Sequence, residues 1–346
     1  MVALQALVLR QQQHFTSVGF SGAGFLACYH LGVVQCLRDQ GLLHCALEKD
    51  KVIPLTGVSA GALTAVAIAA DIEPSDCMSV VLSCAHKARE AGRLNTWQPG
   101  FSLVDVVEHY TQKMLLHVDE EAFLHRIDHG KRLRIGLTDR RVFPPIRNRH
   151  AECYVDRYRG LQDAIAVCVL SSFVPGWTGP VQGRRDTTHR AVLRAAQRLD
   201  QMIEFKCVKR TITDAPIRLK PEDSTARETC WDGGLVNAFP IFDARTLLVT
   251  PIAAHFPSHS ICIHPGMEYD SANVHRFAWT DRVHVHWTAA NAYNFRCLLA
   301  SSEPDVLHAK FSQGYDNATR YLKQHGIRQT YTAPVVSPSI STNVVQ

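Results

Sequence analysis

Residues 57–61 read Gly57-Val58-Ser59-Ala60-Gly61, and their setting narrows the fold more than any other feature of the 346-residue chain. The run before them, 51–56, carries Val52, Ile53 and Leu55 and suits a strand. The run after them, 62–70, is small and apolar, and suits a helix buried against a sheet. A strand that passes into a helix through these five residues must turn so sharply that positions 57 and 61 nearly touch. Only residues without a Cβ fit there. Such a turn lifts the Ser59 hydroxyl off the sheet and sets it at a helix N-terminus, where partial positive charge favours an anion. The chain is thereby committed to strand–turn–helix units, hence to an α/β architecture.

The rest of the pattern agrees. Short apolar runs at 16–20, 132–138, 246–252 and 260–263 read as strands. Helical spacing marks 25–40, 74–91, 102–116, 119–127, 161–170 and 304–324, with Gly41 stopping the first and Pro74 starting the second. No repeat of solenoid length is present. One segment stands apart: residues 183–229 hold eleven Lys or Arg against seven Asp or Glu, with Val192, Ala196, Leu199 and Ile203 at helical spacing. It reads as an insertion into a single domain spanning 14–327, followed by a flexible tail over 328–346.

Composition excludes several classes. A net charge of +5 is too mild for a dedicated nucleic-acid binder, although it gives a weak pull toward anionic membrane surfaces. Eleven cysteines, an odd number with no CxxC pair, do not make a disulfide framework. Cys28, Cys36, Cys77, Cys84 and Cys168 sit among apolar residues and read as reduced core residues, which points to the cytosol or to the cytosolic face of an organelle. Residues 1–10 lack the basic start and cleavage site of a secretory leader. No uncharged apolar run approaches the roughly 20 residues of a membrane span. The Asn317-Ala318-Thr319 sequon falls in a helix and is not expected to carry a glycan. His255, His259, Cys262 and His264 are closely spaced, but no carboxylate or CxxC supports a zinc site. His284 and His286 read as surface or interface residues, and His30 as a packed, hydrogen-bonded histidine.

Two further motifs surround the serine. Gly22-Ala23-Gly24 follows the first strand and opens a helix. Backbone N–H groups there have no intrahelical acceptor, and can meet a phosphate or the oxyanion of a tetrahedral intermediate. The loop lacks the third glycine of a dinucleotide fingerprint, Ala27 standing in the run that follows Gly24. Asp232-Gly233-Gly234 comes late, with Asn237 and Pro240 behind it. Its glycines let the backbone pack closely and leave the carboxylate free to aim at a neighbour. A buried carboxylate bonded to a serine hydroxyl serves as general base if burial raises its pKa. On the residues alone, this motif is equally a simple turn, and a Ser-His-Asp triad drawing on one of 18 histidines stays open.

Taken in order, the Gly22–Gly24 loop, the Gly57–Gly61 elbow and the Asp232–Gly234 motif resemble the patatin-like phospholipase family. The similarity is strongest to its animal branch of adipose triglyceride lipase and adiponutrin. The loop resembles that branch from Gly22 through Gly32, and the elbow through Leu63. Ser171-Ser172-Phe173-Val174-Pro175, Val249-Thr250-Pro251-Ile252 and Gly314-Tyr315-Asp316-Asn317-Ala318 look familial as well. Ala27 and Trp231 depart from the usual pattern, and the insertion is not a family feature. The resemblance implies a three-layer α/β sandwich with a central, mostly parallel sheet. It implies Ser59 as nucleophile, Asp232 as its base, and an oxyanion hole at Gly22, Ala23 and Gly24. Gly57 and Gly61 shape the elbow, and Gly233 and Gly234 shape the aspartate's loop. It further implies cleavage of fatty acyl esters of acylglycerols or phospholipids, with no cofactor or metal and no calcium requirement. The partners would be lipid at a droplet or membrane surface, met from the cytoplasm, and a protein coactivator. A low-turnover lipid-binding protein of the same fold, and a CoA-independent transacylase, are the alternatives. The insertion is then either a solvated insert or a lid whose amphipathic helix docks on lipid.

Overall fold

The computed structural model describes residues 15–43, 53–127, 132–139, 151–179, 190–204, 208–209, 230–267, 274–280 and 283–327. Its centre is a sheet whose strands are β1 (Ser17–Phe20), β2 (Leu55–Gly57), β3 (Leu133–Asp139), β4 (Glu152–Val155), β5 (Val208–Lys209), β6 (Cys230–Asp232) and β7 (Thr246–Val249), with β9 (Cys262–Ile263) at one edge. The order is β5-β4-β3-β2-β1-β7-β9, and β6 lies beside β3. The run from β3 through β9 is parallel, whereas β4, β5 and β6 join antiparallel. Every residue of β1, β2 and β7 is buried, as a parallel sheet covered on both faces requires. The strand expected at 51–56 is therefore shorter and later: Thr56 and Gly57 pair with β1, and residues 51–52 lie outside the described part.

Helices surround this sheet. They are α1 (Ala27–Asp39), α2 (Ala60–Ala69), α3 (Pro74–Glu90), α4 (Leu103–Leu115), α5 (Glu120–Arg126), α6 (Leu161–Ser171), α7 (Arg190–Glu204), α8 (Gly234–Asn237), α9 (Ala289–Leu299) and α10 (Pro304–Gln324). Local chemistry sets several starts. The Ser102 hydroxyl caps α4, Asp119 caps α5, and Pro74 occupies the first turn of α3. Among the described residues, no helix is long and apolar enough to cross a membrane. The nine described cysteines are all buried and unbridged, and burial pushes the Cys28 and Cys84 thiols up to about 12.

The described part of the 183–229 segment does not stand off in solvent, nor is its apolar face available for lipid. Ala191, Val192, Ala195, Ala196, Leu199 and Met202 of α7 are buried in the main core with α6. Arg198 holds buried Asp163 at 2.5 Å, and Arg194 pairs with Glu108 of α4. Sequence periodicity finds the face but cannot tell what covers it. A second sheet, which sequence did not foretell, runs β10 (Arg276–Thr280), β11 (Val283–His286) and β8 (Ala254–His255), antiparallel throughout. It buries His286, correcting the surface role expected of that residue, while His284 is half-buried.

α10 closes the domain against α1 at backbone contact. A Cβ on Gly32 would stand 1.9 Å from the Phe311 carbonyl oxygen. The Asn317 amide donates to the Tyr29 hydroxyl at 2.9 Å, so the sequon asparagine is buried and engaged. Alanine ordinarily stabilises a helix relative to glycine. At position 32 it must instead force α10 away, and we expect Gly32→Ala to cost about 1–3 kcal/mol. The midpoint of urea unfolding checks this; an unchanged or raised midpoint would refute the close approach.

Candidate active site

β2 ends at Gly57 and α2 begins at Ala60, so Ser59 carries the whole change of direction, with φ 55° and ψ −130°. That conformation costs a residue with a Cβ about 1–3 kcal/mol and persists only where surroundings enforce it. The glycines on either side are part of the enforcement. A Cβ on Gly57 would meet the Gly61 carbonyl at 2.3 Å, and one on Gly61 the Phe20 carbonyl at 2.3 Å. The rest comes from Ser171, at the end of α6. Its hydroxyl accepts the Ser59 N–H at 2.8 Å and donates to the Gly136 carbonyl of β3 at 2.7 Å.

Asp232 reaches the serine through the sheet. β2 pairs with β3 only as far as Ile135 and then leaves at the elbow. The row it vacates is filled by β6, running antiparallel, with Asp232 opposite Leu137. The carboxylate thus stands two residues, roughly 7 Å, beyond the end of β2. Its backbone is fixed on both sides: the N–H donates to the Phe173 carbonyl at 2.9 Å, and its carbonyl accepts the Thr138 hydroxyl at 2.7 Å. The Gly234 N–H donates to Oδ1 at 2.7 Å, while Gly233 backs onto the Gly136 carbonyl. Asn237, at the end of α8, ties this loop to β4 by donating to Glu152 at 2.7 Å. Burial pushes the Asp232 pKa from its ordinary 3.8 up to about 7, against hydrogen bonds from the Ser59 hydroxyl and the Gly234 N–H that pull it down. Among the described residues, no histidine hydrogen-bonds either Ser59 or Asp232.

The glycine loop lies beside them, because β1 neighbours β2 in parallel and both end at the same edge. A Cβ on Gly22 would be 3.8 Å from that of Ser59, so the missing side chain leaves the space in front of the hydroxyl open. Gly24 has φ +50°, and a Cβ there would stand 2.2 Å from the Leu298 carbonyl of α9. The Gly22 N–H already donates to Ala238 at 3.0 Å. The donors left for an anion are those of Ala23 and Gly24, at the start of a 3-10 turn where helical geometry supplies no acceptor. His30 is wholly buried behind the loop, with Nε2 3.5 Å from the Ser21 hydroxyl. Burial pushes its pKa down to about 3, which keeps it neutral at ordinary pH.

The three motifs read from sequence therefore converge on one edge of the sheet. Sequence reasoning missed the roles of Ser171 and Asn237, which lie in stretches it had marked without assigning a task. A buried hydroxyl closing an apolar helix was the available signal for Ser171. Among the described residues, no group of side chains is arranged to hold a metal ion, and His259 spends its Nε2 on the Thr246 carbonyl at 2.7 Å. A cavity of about 550 Å³ between α4 and α7, bordered by Asp105, Glu108 and Arg194, shares no lining residue with the site.

A serine on a strained strand-to-helix turn, a glycine loop on the adjacent strand and a buried carboxylate define an α/β protein of the serine-elbow class. Residues 19–245 match the patatin-like phospholipase family, and the chain belongs to it. It is 23% identical over 312 residues to patatin-like phospholipase domain-containing protein 2 of Homo sapiens, covering 90% of this chain and 49% of that protein. It is 26% identical over 200 residues to 1-acylglycerol-3-phosphate O-acyltransferase PNPLA3 of Homo sapiens, covering 58% of this chain and 37% of that one. The chain thus spans about half the length of the first of these relatives. VipD from Legionella pneumophila covers 90% of this chain and 67% of its own at 11% identity and a TM-score of 0.39, too slight a likeness to bear on the fold.

Two outcomes follow from this geometry. Ser171→Ala leaves the Ser59 N–H and the Gly136 carbonyl buried without their partner, a cost of about 1–3 kcal/mol. Thermal unfolding should register that loss, and labelling of Ser59 by a fluorophosphonate should slow about tenfold as the elbow relaxes. Labelling at the parent rate would show that Ser171 does not set the nucleophile. Asp232 binds its proton more tightly folded than unfolded, so its contribution to stability is full below 3.8 and is lost as pH rises through about 7. Asp232→Asn should therefore be the more stable protein at about pH 8, with the advantage fading toward about pH 4 in melts across that range.

Proposed function

We propose that the chain is a serine acyl hydrolase that cleaves fatty acyl esters of acylglycerols or phospholipids through a Ser59–Asp232 dyad. The observation that carries this reading is the Ser59 hydroxyl, held on a strained elbow and bonded to a buried carboxylate whose pKa is raised to about 7. A carboxylate of ordinary pKa is too weak a base to take a serine proton; one raised toward neutrality is matched to the task. Asp232 accepts the proton as Ser59 Oγ attacks the acyl carbonyl. The Ala23 and Gly24 N–H groups receive the developing oxyanion. The alcohol or lysolipid leaves with the proton returned by Asp232, and an acyl-enzyme remains on Ser59. Water, deprotonated by the same carboxylate, then releases the fatty acid. Each step uses groups of this chain and requires no metal or cofactor. Membership of the patatin-like phospholipase family supports the lipid ester as substrate.

A second acceptor is favoured by one relative, whose name describes an O-acyltransferase acting on 1-acylglycerol 3-phosphate. On this chain the same acyl-enzyme would then pass its acyl group to a lipid alcohol in place of water. In either case the protein works from the cytoplasm at a droplet or membrane surface, with a protein coactivator as a further partner.

Fatty-acid release from triacylglycerol and phospholipid emulsions, with chelator present, tests the reading. Release from the parent should be chelator-insensitive and should fall by at least about a thousandfold in Ser59→Ala. The parent kcat/KM should climb as pH rises through about 7, where Asp232 loses its proton. Release that survives Ser59→Ala would exclude the dyad, and adding a lysolipid acceptor separates transfer from hydrolysis.

A further inference from the structure

Among the described residues, eight large apolar side chains are exposed: Leu94, Trp97, Leu116, Leu193, Ile241, Trp287, Tyr293 and Leu299. Single exposed apolar residues are ordinary, but their distribution here is not. Trp287, at 73% exposure, precedes α9, while Tyr293 and Leu299 lie on its outer side, where Ala289, Ala292 and Arg296 are exposed at the same helical spacing. Leu94 and Trp97 stand on the neighbouring turn, at 57% and 53% exposure. That turn is fastened to the end of α9: Asn95 donates to the Ser301 hydroxyl at 2.5 Å, and the Thr96 hydroxyl to the Leu299 carbonyl at 3.5 Å. Five of the eight thus lie on α9, just before it, or on the turn fastened to its end. This surface is joined to the site through α9, since the Leu298 carbonyl of that helix is the group against which Gly24 packs.

We propose that this face is where the protein docks on a lipid surface. The inference rests on the acyl-hydrolase reading for its purpose, and on three observations for its occupant. The exposed set holds two tryptophans and a tyrosine, whose apolar bodies and polar tips suit the boundary between acyl chains and headgroups. Residues 91–100 and 287–300 carry two cations, Arg93 and Arg296, both exposed, and no Asp or Glu, while the flanking Glu90 and Glu303 are paired with Lys87 and Arg89. The face is carried by α9, whose Leu298 carbonyl packs against Gly24, so it is joined to the glycine loop through that helix. α7, whose apolar side is buried in the core, offers no competing face.

The test is partition of the full chain onto phosphatidylcholine vesicles, with and without phosphatidylserine, read by sedimentation and by the blue shift of tryptophan fluorescence. It is run in the Ser59→Ala protein as well as the parent, so binding is read where no acyl group can be cleaved. Trp97→Ala/Trp287→Ala is expected to bind about tenfold more weakly, because affinity follows the apolar area inserted. Its turnover of a soluble short-chain ester should equal the parent's, while its rate on an emulsion falls. Arg93→Gln/Arg296→Gln should lose only the extra affinity that phosphatidylserine confers. Should the tryptophan variant fail to fold, Leu94→Gln/Leu299→Gln carries the same expectation with less side-chain volume removed. Partition unchanged by these substitutions, or no partition of the parent, overturns the proposal. Unchanged partition with a lost dimer in sedimentation velocity assigns the face to a second copy instead. Binding that behaves as expected in a protein that releases no fatty acid leaves docking standing and removes the hydrolase reading.

Discussion

The backbone of Ser59 is the constraint on which the other parts of the site depend. At φ 55° and ψ −130° it sits where a side chain is disfavoured, and it cannot relax without drawing β2 out of register or α2 off the sheet. Glycine at 57 and 61 makes the turn sterically possible, but does not hold it. The holding group is the Ser171 hydroxyl, which takes the N–H that the elbow strips of a backbone acceptor. An unmade hydrogen bond there would cost about as much as the strain itself. Because the same hydroxyl donates to Gly136, and Gly136 backs Gly233, the nucleophile and the aspartate loop are located against one point of β3. Two motifs more than 170 positions apart in sequence, as 232 less 59 gives, thus acquire a fixed separation.

The second constraint is electrostatic. Hydrolases with a Ser-His-Asp triad draw their base from a side chain that titrates near neutrality without help. In the proposed dyad a carboxylate must be brought there by its surroundings, and burial pushes Asp232 that way. The sheet supplies that burial as a by-product of its topology, since β6 can enter only where β2 has left. The two hydrogen bonds Asp232 accepts work in the opposite direction and pull its pKa back down. The raised pKa is the balance of the two, so solvent entering the site would weaken the base before it changed its geometry.

What could be read from the sequence was what local sterics dictate. The elbow announces itself because only glycine fits at 57 and 61, and Gly22, Gly24 and Asp232 followed from their order around it. α3 declared itself by Pro74 and α4 by its helical spacing. What remained hidden was whatever depends on distant partners. β6 is three residues long and looks like a turn until β3 is placed beside it. β4, reading Glu152-Cys153-Tyr154-Val155, and the two-residue β8 carry too little pattern to stand out from loop. The Ser171 bond joins residues 112 apart, and the Gly22 N–H is lost to a carbonyl, that of Ala238, also remote in sequence. The burial of α7 was unreadable for the same reason. Periodicity fixes which side of a helix is apolar, whereas core and membrane present the same demand.

α9 draws these themes together, because it belongs to both the site and the surface. Its Leu298 carbonyl lies so close to Gly24 that any side chain there would push the helix outward. The positive φ of Gly24 aims the loop's N–H groups, and that same residue sets how deeply α9 sits. The outer side of α9 therefore cannot tilt without disturbing the groups proposed to receive the oxyanion, and those groups cannot shift without moving Tyr293 and Leu299. A protein that meets its substrate at an interface has to present nucleophile and acyl carbonyl at a fixed height and angle, and reactions of this kind lose rate steeply with misplacement. Rigid coupling through one glycine and one carbonyl is suited to that demand. It also explains why the position calls for glycine more strictly than an oxyanion loop alone would, since the residue answers to the loop on one side and to a helix on the other.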